Sequence, residues 1–389
     1  MGKVGIIGVG QSRFVRAYPG SIREMVFESF KEAIGDAKIA GKDIDATVVC
    51  SAPEYDRQRS PAGVLVEYLG LNPQPTFNVE TLCSSGTTGI RAAYSLVKSG
   101  LHDIVAVLGF QKTSEITAAD SQERMGRGAD IQWESPFGTT MPAYFAMFAR
   151  GHMEKYGTTM EDMTRVRIKA STYGVLNEKA MIRKVLTIND FNAPASRLGA
   201  IHSSPLRVGD CCKNADGSSC IILANEEKSK AMSEKPVWIL GLGSASASVN
   251  MAGRETFYSF HSAKEAAKKA YKMAGVQPGD IDVAEVHDGF TIAEIMAYED
   301  LGFARPGDGP GLIASKETYK EGKIPVNVDG GILSKGHPIA ATGGSQVRAI
   351  VLQLRGESGD FQVKDPALGL VHNVGGAGLY TNVIILGRE

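Results

Sequence analysis

Cys83 sits where three kinds of residue meet. The segment Phe77-Asn78-Val79-Glu80-Thr81-Leu82-Cys83-Ser84-Ser85-Gly86-Thr87-Thr88-Gly89 starts in a β-forming run, turns on small polar residues, and enters a helical pattern over Ile90–Val97. A thiol at such a helix entrance meets the positive end of the helix dipole and free backbone N–H groups. Both favour thiolate over thiol and offer a site for an oxyanion. A free cysteine more often just fills a buried corner, so the thiol alone decides little. A distant segment adds the missing group. Gly330-Gly331-Ile332-Leu333-Ser334-Lys335-Gly336-His337-Pro338-Ile339-Ala340-Ala341-Thr342-Gly343-Gly344 also turns into a helix and carries His337. A Cys–His pair within hydrogen-bond reach is the general recipe for an activated thiolate.

The elements around these two turns repeat. Glu28–Ala33 leading to Gly41–Val49 matches Lys268–Gly275 leading to Gly279–Val286: an Ala/Lys-rich helix, a polar loop, Asp-Ile-Asp and a strand. Asn78-Val79-Glu80 matches Asn327-Val328-Asp329, and Arg91-Ala92 matches Arg348-Ala349. Three matches in one order indicate two related α/β halves packed together. The repeat places His337 opposite Cys83.

The first half reads as strand Val4–Val9, helix Ile22–Ala37, strand Ala46–Cys50, helix Pro61–Leu69, strand Thr76–Val79, helix Ser85–Lys98 and strand Ile104–Phe110. Alternation of this kind predicts a mostly parallel sheet covered on both faces. After Gln111 the chain becomes polar, rich in Met and Arg, and helical, with a capping box expected at Thr158-Thr159-Met160-Glu161. The predicted division is therefore an N-terminal half over 1–111 and 200–234, an inserted loop domain over 112–199, and a C-terminal half over 235–389. Gly8-Val9-Gly10 lacks the third glycine of a dinucleotide fingerprint and reads as a turn.

With 389 residues the chain can bury a large core. Lys+Arg 42 against Asp+Glu 43 gives a net charge of −1, which argues against a nucleic-acid or anionic-membrane footprint. The longest apolar runs have strand length, far below a membrane span. The N-terminal residues read as a strand rather than a signal peptide. Five cysteines (Cys50, Cys83, Cys211, Cys212, Cys220) contain no CxxC pair. That excludes a disulfide framework and a structural zinc site as readings, and the expected location is the reducing cytoplasm. Apart from Cys83, none of these cysteines receives a role.

Four segments together, Cys83-Ser84-Ser85, His287-Asp288-Gly289-Phe290, Gly336-His337-Pro338 and His372-Asn373-Val374-Gly375, resemble the active-site signatures of the thiolases. The resemblance is to the sterol-carrier-protein-type branch and its archaeal and bacterial relatives, and it covers essentially the whole chain. It implies two pseudo-repeated βαβαβαββ halves in a layered αβαβα α/β fold with an inserted loop domain. It also implies a dimer or tetramer that uses coenzyme A thioesters, with no permanently bound cofactor or metal. By this resemblance Cys83 is the acyl-carrying nucleophile and His337 its base. His287, with His337, faces the enolate of the second acyl-CoA. The backbone N–H groups of Cys83 and Gly375 form an oxyanion hole, and Asn373 and His372 belong to the surrounding shell. Histidines outside the signatures, namely His102, His152, His202 and His261, are expected in surface or loop roles.

The implied reaction is condensation of two acetyl-CoA to acetoacetyl-CoA, or the reverse thiolysis, feeding isoprenoid precursors. The implied partners are 3-hydroxy-3-methylglutaryl-CoA synthase and a small zinc-containing OB-fold protein. One departure stands out. Ordinary thiolases hold a second cysteine in a Cys-x-Gly signature, where this chain has Asn373-Val374-Gly375. The sterol-carrier type holds it in His-Asp-Cys-Phe, where this chain has Gly289. A proton shuttle is still required for carbon–carbon chemistry next to a thioester. The alternatives are a thiolase-like retro-aldolase, a decarboxylative condensing enzyme and a non-catalytic subunit of an acyl-CoA complex.

Overall fold

β1 (Val4–Gln11), α1 (Ile22–Ala37), β2 (Ala46–Cys50), α2 (Pro61–Tyr68), β3 (Thr76–Val79), α3 (Ser85–Lys98) and β4 (Ile104–Lys112) follow one another as their residue patterns predict. The structure, a computed structural model, describes residues 2–55 and 58–388. α1 starts on a capping box: the Ser21 N–H donates to the Glu24 carboxylate at 2.8 Å. α2 has Pro61 in its first turn, where the missing N–H costs nothing.

The stretch 112–199 contributes α4 (Ala118–Gly126), α5 (Met141–Tyr156), α6 (Met160–Gly174) and α7 (Asn189–Asn192), and a small hairpin of β5 (Ile201–Ser203) and β6 (Leu206–Arg207) follows it. The cap of α6 falls one residue later than expected. Thr159 accepts from the Asp162 N–H, and the Thr159 N–H donates to the Asp162 carboxylate at 2.9 Å. The chain then forms β7 (Asp216–Asn225), α8 (Glu226–Met232), β8 (Val237–Ser246), α9 (His261–Ala274), β9 (Val283–Glu285), α10 (Thr291–Asp300) and α11 (Gly309–Ala314). It ends with α12 (Gly331–Lys335), α13 (Thr342–Arg355), β10 (Leu368–Gly375) and β11 (Tyr380–Gly387).

Nine strands lie in the order β3-β2-β4-β7-β1-β8-β11-β10-β9. The sheet is mixed rather than mostly parallel. β2 runs parallel to β3 and β4, but β7 enters antiparallel between β4 and β1. The cause is the insertion: the chain leaves at the end of β4 and returns beside it, pairing Lys112 with Asp216 and Ile104 with Ala224. The second half repeats the order from the other side, with β11 between β10 and β8. β1 and β8 join the halves through the pairs Gly5–Trp238 and Ile6–Val237. The match to β3 is reduced in the second half to a single parallel bridge of Val326 with Ala284, and Asn327 turns away at φ 53°.

Helices fill three layers. α1 and α2 cover one face of the first half through Met25, Phe30, Ala33 and Leu65. α9, α10 and the inserted α5 and α6 cover the second half. α3 and α13 lie between, and Ile90, Ala93, Val347 and Ile350 share a core with strands of both halves. The two central helices touch at glycines. A Cβ on Gly86 would stand 2.8 Å from the Ala340 carbonyl oxygen, and one on Gly343 would stand 2.7 Å from the Thr87 nitrogen. No side chain fits there, because the obstacle is backbone.

Gly343→Ala is therefore expected to destabilise the protein by about 1–3 kcal/mol through overpacking. Gly35→Ala, in α1 with nothing within 4 Å of its added Cβ, is expected to stabilise by up to about 1 kcal/mol. Thermal midpoints of the two variants, measured side by side, check the opposite signs.

Candidate active site

The turn between β3 and α3 holds Cys83 in place by local hydrogen bonds. Ser85 Oγ donates to the Leu82 carbonyl at 2.7 Å and accepts from the Thr81 N–H at 2.9 Å, and Ser84 Oγ donates to the Thr81 carbonyl at 2.7 Å. Leu82 has φ 54°, a conformation that L-residues with a side chain rarely adopt. The end of β10 presses on this turn. A Cβ on Gly375 would lie 2.3 Å from the Thr81 carbonyl oxygen and 2.7 Å from Ser84 Oγ. Only glycine allows that approach.

His337 follows α12 and Gly336, whose φ of 93° makes the bend. Its N–H donates to the Lys213 carbonyl at 2.8 Å. Its Nδ1 meets Thr342 Oγ1 at 2.8 Å, and that hydroxyl donates to the Pro338 carbonyl at 3.2 Å. Thr342 Oγ1 therefore accepts, Nδ1 carries the proton, and Nε2 keeps a lone pair.

His287 comes two residues after β9. The Asn373 side chain fixes the opposite tautomer. Asn373 Oδ1 accepts from Thr87 Oγ1 at 2.9 Å, so its Nδ2 donates to His287 Nδ1 at 3.2 Å. His287 Nε2 then carries the proton. The two rings stand edge to face, centroids 5.4 Å apart. Burial pushes the His337 pKa down to about 4. His287 is held well below the ordinary value by burial first and by His337 and His372 beside it. Both rings are neutral at physiological pH, so their tautomers decide what each presents.

Asp288 ties the two histidine segments together. Its carboxylate accepts from the N–H groups of Ile332 at 2.7 Å and Leu333 at 3.3 Å, inside the first turns of α12. Burial first, then the charge of Glu294, raises its pKa to about 7.

Cys83, His287 and His337 line one cavity of about 700 Å³, together with Gly376 and an apolar wall that includes Met141, Phe145 and Phe290. Gly375 and Asn373 stand behind that lining. His372 is buried, does not line the cavity, and has no hydrogen-bond partner on either ring nitrogen among the described residues. Burial pushes its pKa down to about 3. His202, expected in a surface or loop role, is exposed and lines the cavity as well.

Sequence reasoning missed several lining groups. Arg16, Arg197 and Lys213 are exposed residues at the cavity, and none has a carboxylate within 4 Å among the described residues. Other basic residues of the inserted stretch do not line it: Arg127 pairs with Glu123, Lys184 with Asp190, and Arg183 donates to the Val175 carbonyl. Cys211 and Cys212 also line the cavity. No local sequence signal marks them, since only long-range pairing brings their segment here.

Comparison with known proteins bears on the family and the fold. Residues 6–184 match the family model described as thiolase, N-terminal domain, and residues 243–388 match thiolase C-terminal domain-like. An acetyl-CoA acetyltransferase of Methanothermobacter thermautotrophicus is 35% identical over 390 residues, covering 100% of both chains. One of Methanocaldococcus jannaschii is 34% identical and covers 97% of each. Sterol carrier protein 2 of Oryctolagus cuniculus is 30% identical over 96% of this chain and 70% of its own length. Among solved structures, the Ltp2-ChsH2(DUF35) aldolase has a TM-score of 0.86 at 24% identity, covering 100% of this chain and 98% of its own. Human mitochondrial 3-ketoacyl-CoA thiolase has 0.73 at 17%, covering 100% and 99%. At these identities the two structures bear on fold alone.

An imidazole held at about 4 gives a clear pH signature to a reaction in which it is the base. His337 stays neutral as pH falls from 8 to about 5, and protonates only near its own pKa. Acylation of Cys83 is expected to keep its rate over that range, where an ordinary histidine would lose it from about pH 6.5. Single-turnover acylation rates across pH check this.

Proposed function

The chain belongs to the thiolase family, and on that premise we propose that it makes and breaks the carbon–carbon bond of a 3-oxoacyl-CoA through an acyl-Cys83 intermediate. Two acetyl-CoA are the condensing pair, as the names of the archaeal relatives suggest. One observation carries the reading. A thiol, an imidazole with a free Nε2 lone pair and an imidazole with an Nε2–H share one largely apolar cavity.

In the first half-reaction His337 Nε2 takes the proton of Cys83, and the sulfur attacks the thioester carbonyl. The oxyanion meets the backbone N–H groups of Cys83 and Gly375. The carbon–sulfur bond to coenzyme A breaks, and His337 returns its proton to the leaving thiolate. In the second, acetyl-CoA enolises with its oxygen against His287 Nε2–H. Its α-carbon attacks the acyl group and Cys83 leaves as thiolate. Arg16, Arg197 and Lys213 suit the phosphates of coenzyme A at the exposed side of the cavity.

The proposal extends to assembly and place. The resemblance to archaeal thiolases supports a cytoplasmic homodimer or tetramer supplying isoprenoid synthesis, in complex with 3-hydroxy-3-methylglutaryl-CoA synthase and a small OB-fold zinc protein. The aldolase neighbour is likewise named for two components, Ltp2 and the DUF35 protein ChsH2. Among the described residues no helix is long and apolar enough to cross a membrane.

Incubation with radiolabelled acetyl-CoA tests the core of this reading. Label is expected on Cys83, chased by coenzyme A. Cys83→Ala is expected to abolish it, and His337→Ala to slow acylation by about 10²–10⁴-fold. His287→Ala is expected to leave acylation largely intact and to lower condensation by about 10²–10³-fold. Equal loss of both steps in His287→Ala would overturn the division of roles. A Cys83→Ala protein that still cleaves a 3-hydroxyacyl-CoA would establish the retro-aldolase instead.

A further inference from the structure

The proposed reaction needs a group that carries a proton to and from the α-carbon of the second thioester. Neither histidine is free for it. His337 serves Cys83, and the Nε2 of His287 already holds the proton that meets the enolate oxygen, its Nδ1 being committed to Asn373. Two further thiols line the cavity. Cys211 Sγ turns back toward the Arg207 carbonyl at 3.5 Å.

Cys212 is placed differently. Its N–H donates to the Gly289 carbonyl at 2.9 Å, and the carbonyl of the next residue, Lys213, accepts from the His337 N–H at 2.8 Å. The segment carrying this thiol is thus bonded by its backbone to both histidine segments. Gly289 leaves the space beside His287 open. A Cβ built there would lie 3.3 Å from His287 Nε2 and 4.0 Å from Cys212 Sγ. The thiol of residue 212 therefore borders the spot that a side chain at residue 289 would fill.

We propose that Cys212 is the catalytic acid and base at the α-carbon, the second thiol of the active site. This rests on the thiolase reading above. In the cleavage direction Cys83 attacks the 3-oxo carbon and the bond between C2 and C3 breaks. Its electron pair goes to the enolate of acetyl-CoA, and Cys212 S–H gives its proton to C2. Acetyl-CoA leaves, with acetyl on Cys83 and a thiolate on Cys212. The proton that His337 took from Cys83 passes to that thiolate. His337 then takes the thiol proton of incoming coenzyme A, the coenzyme A sulfur attacks the acetyl group, and Cys83 leaves as thiolate and regains the proton from His337. Condensation runs the same steps in reverse. Burial holds the Cys212 thiol well above the ordinary range, with the charges of Cys211, Asp288 and Cys83 adding to the effect, so it rests protonated as this cycle needs. The buried Arg167 lies within electrostatic reach of Cys212 and Asp288 and supplies a counter-charge when the thiolate forms.

Moving the thiol tests the assignment. Three proteins are compared: the parent, Cys212→Ala, and Cys212→Ala with Gly289→Cys. Each is assayed for labelling of Cys83 by acetyl-CoA, for deuterium uptake from D2O into the acetyl-CoA methyl group, and for condensation. Cys212→Ala is expected to acylate Cys83 within about threefold of the parent, and to lose at least about 10²-fold in deuterium uptake and condensation. The double variant is expected to regain about tenfold or more of both. Undiminished uptake in Cys212→Ala would overturn the proposal. So would a joint loss of acylation and uptake that the cysteine at 289 does not repair, since that marks a structural role. A parent that never labels on Cys83 is a different result, and it defeats the thiolase reading itself.

Discussion

The site depends on how closely two backbones approach. The helix entrances that carry Cys83 and lead on from His337 are packed through Gly86 and Gly343, Gly344 lies against Ser219 of β7, and the end of β10 reaches the thiol turn through Gly375. At each contact a single methyl group would strike backbone or a fixed hydroxyl at under 3 Å. Side chains between these elements would hold the halves apart by several ångströms, and no rotamer could bring the thiol and the imidazoles back to one cavity. Catalytic positioning here is set by what the sequence leaves out.

Close approach alone would not aim the rings, and a buried polar chain does that work. Lys169 of the inserted α6 pairs with Glu294 and donates to the Val326 carbonyl at 2.8 Å. Glu294 accepts from Asn327 Nδ2 at 2.8 Å, and Asn327 Oδ1 accepts from the Val286 N–H at 2.8 Å, one residue before His287. A second buried cluster, Lys335 with Asp329 and Glu285, flanks the segment on the other side. Buried ion pairs contribute little net stability, yet removing one partner costs about 3–5 kcal/mol. Their value is directional: each fixes backbone that a hydrophobic contact would leave free to slide. The insertion is thereby part of the site, because α6 anchors the histidine strand.

The sequence made the first half legible almost residue by residue. The alternating strand and helix patterns left little for tertiary context to override there: β2 is a continuous buried run and α1 starts on a capping box. The second half was harder to read. Asn327-Val328-Asp329 has the residues of a strand, but Asn327 takes a left-handed turn and spends its amide on Glu294 and Val286. Cys83 and His337 stood out because glycine, proline and small polar residues surround them. Arg16, Arg197 and Lys213 had no such frame, since only the folded chain brings their segments to one opening. Cys212 was invisible for the same reason. Its hydrogen-bonded neighbour Gly289, and His337, which is bonded to the next residue Lys213, lie far along the chain, and adjacent cysteines suggest nothing about either.

Two histidines in one cavity present opposite faces to it, and charge is not what separates them. Burial keeps both histidines neutral, so neither can act as a fixed cation. What differs is the group behind each ring. A hydroxyl whose proton is already spent must accept, and it leaves His337 with a lone pair toward the cavity. An amide nitrogen can only donate, and it leaves His287 with a proton there. The cations at the exposed side do not disturb the arrangement, since solvent screens them there. Base and donor can therefore be built from the same side chain, some 5.4 Å apart by ring centroid, with one threonine and one asparagine setting the difference.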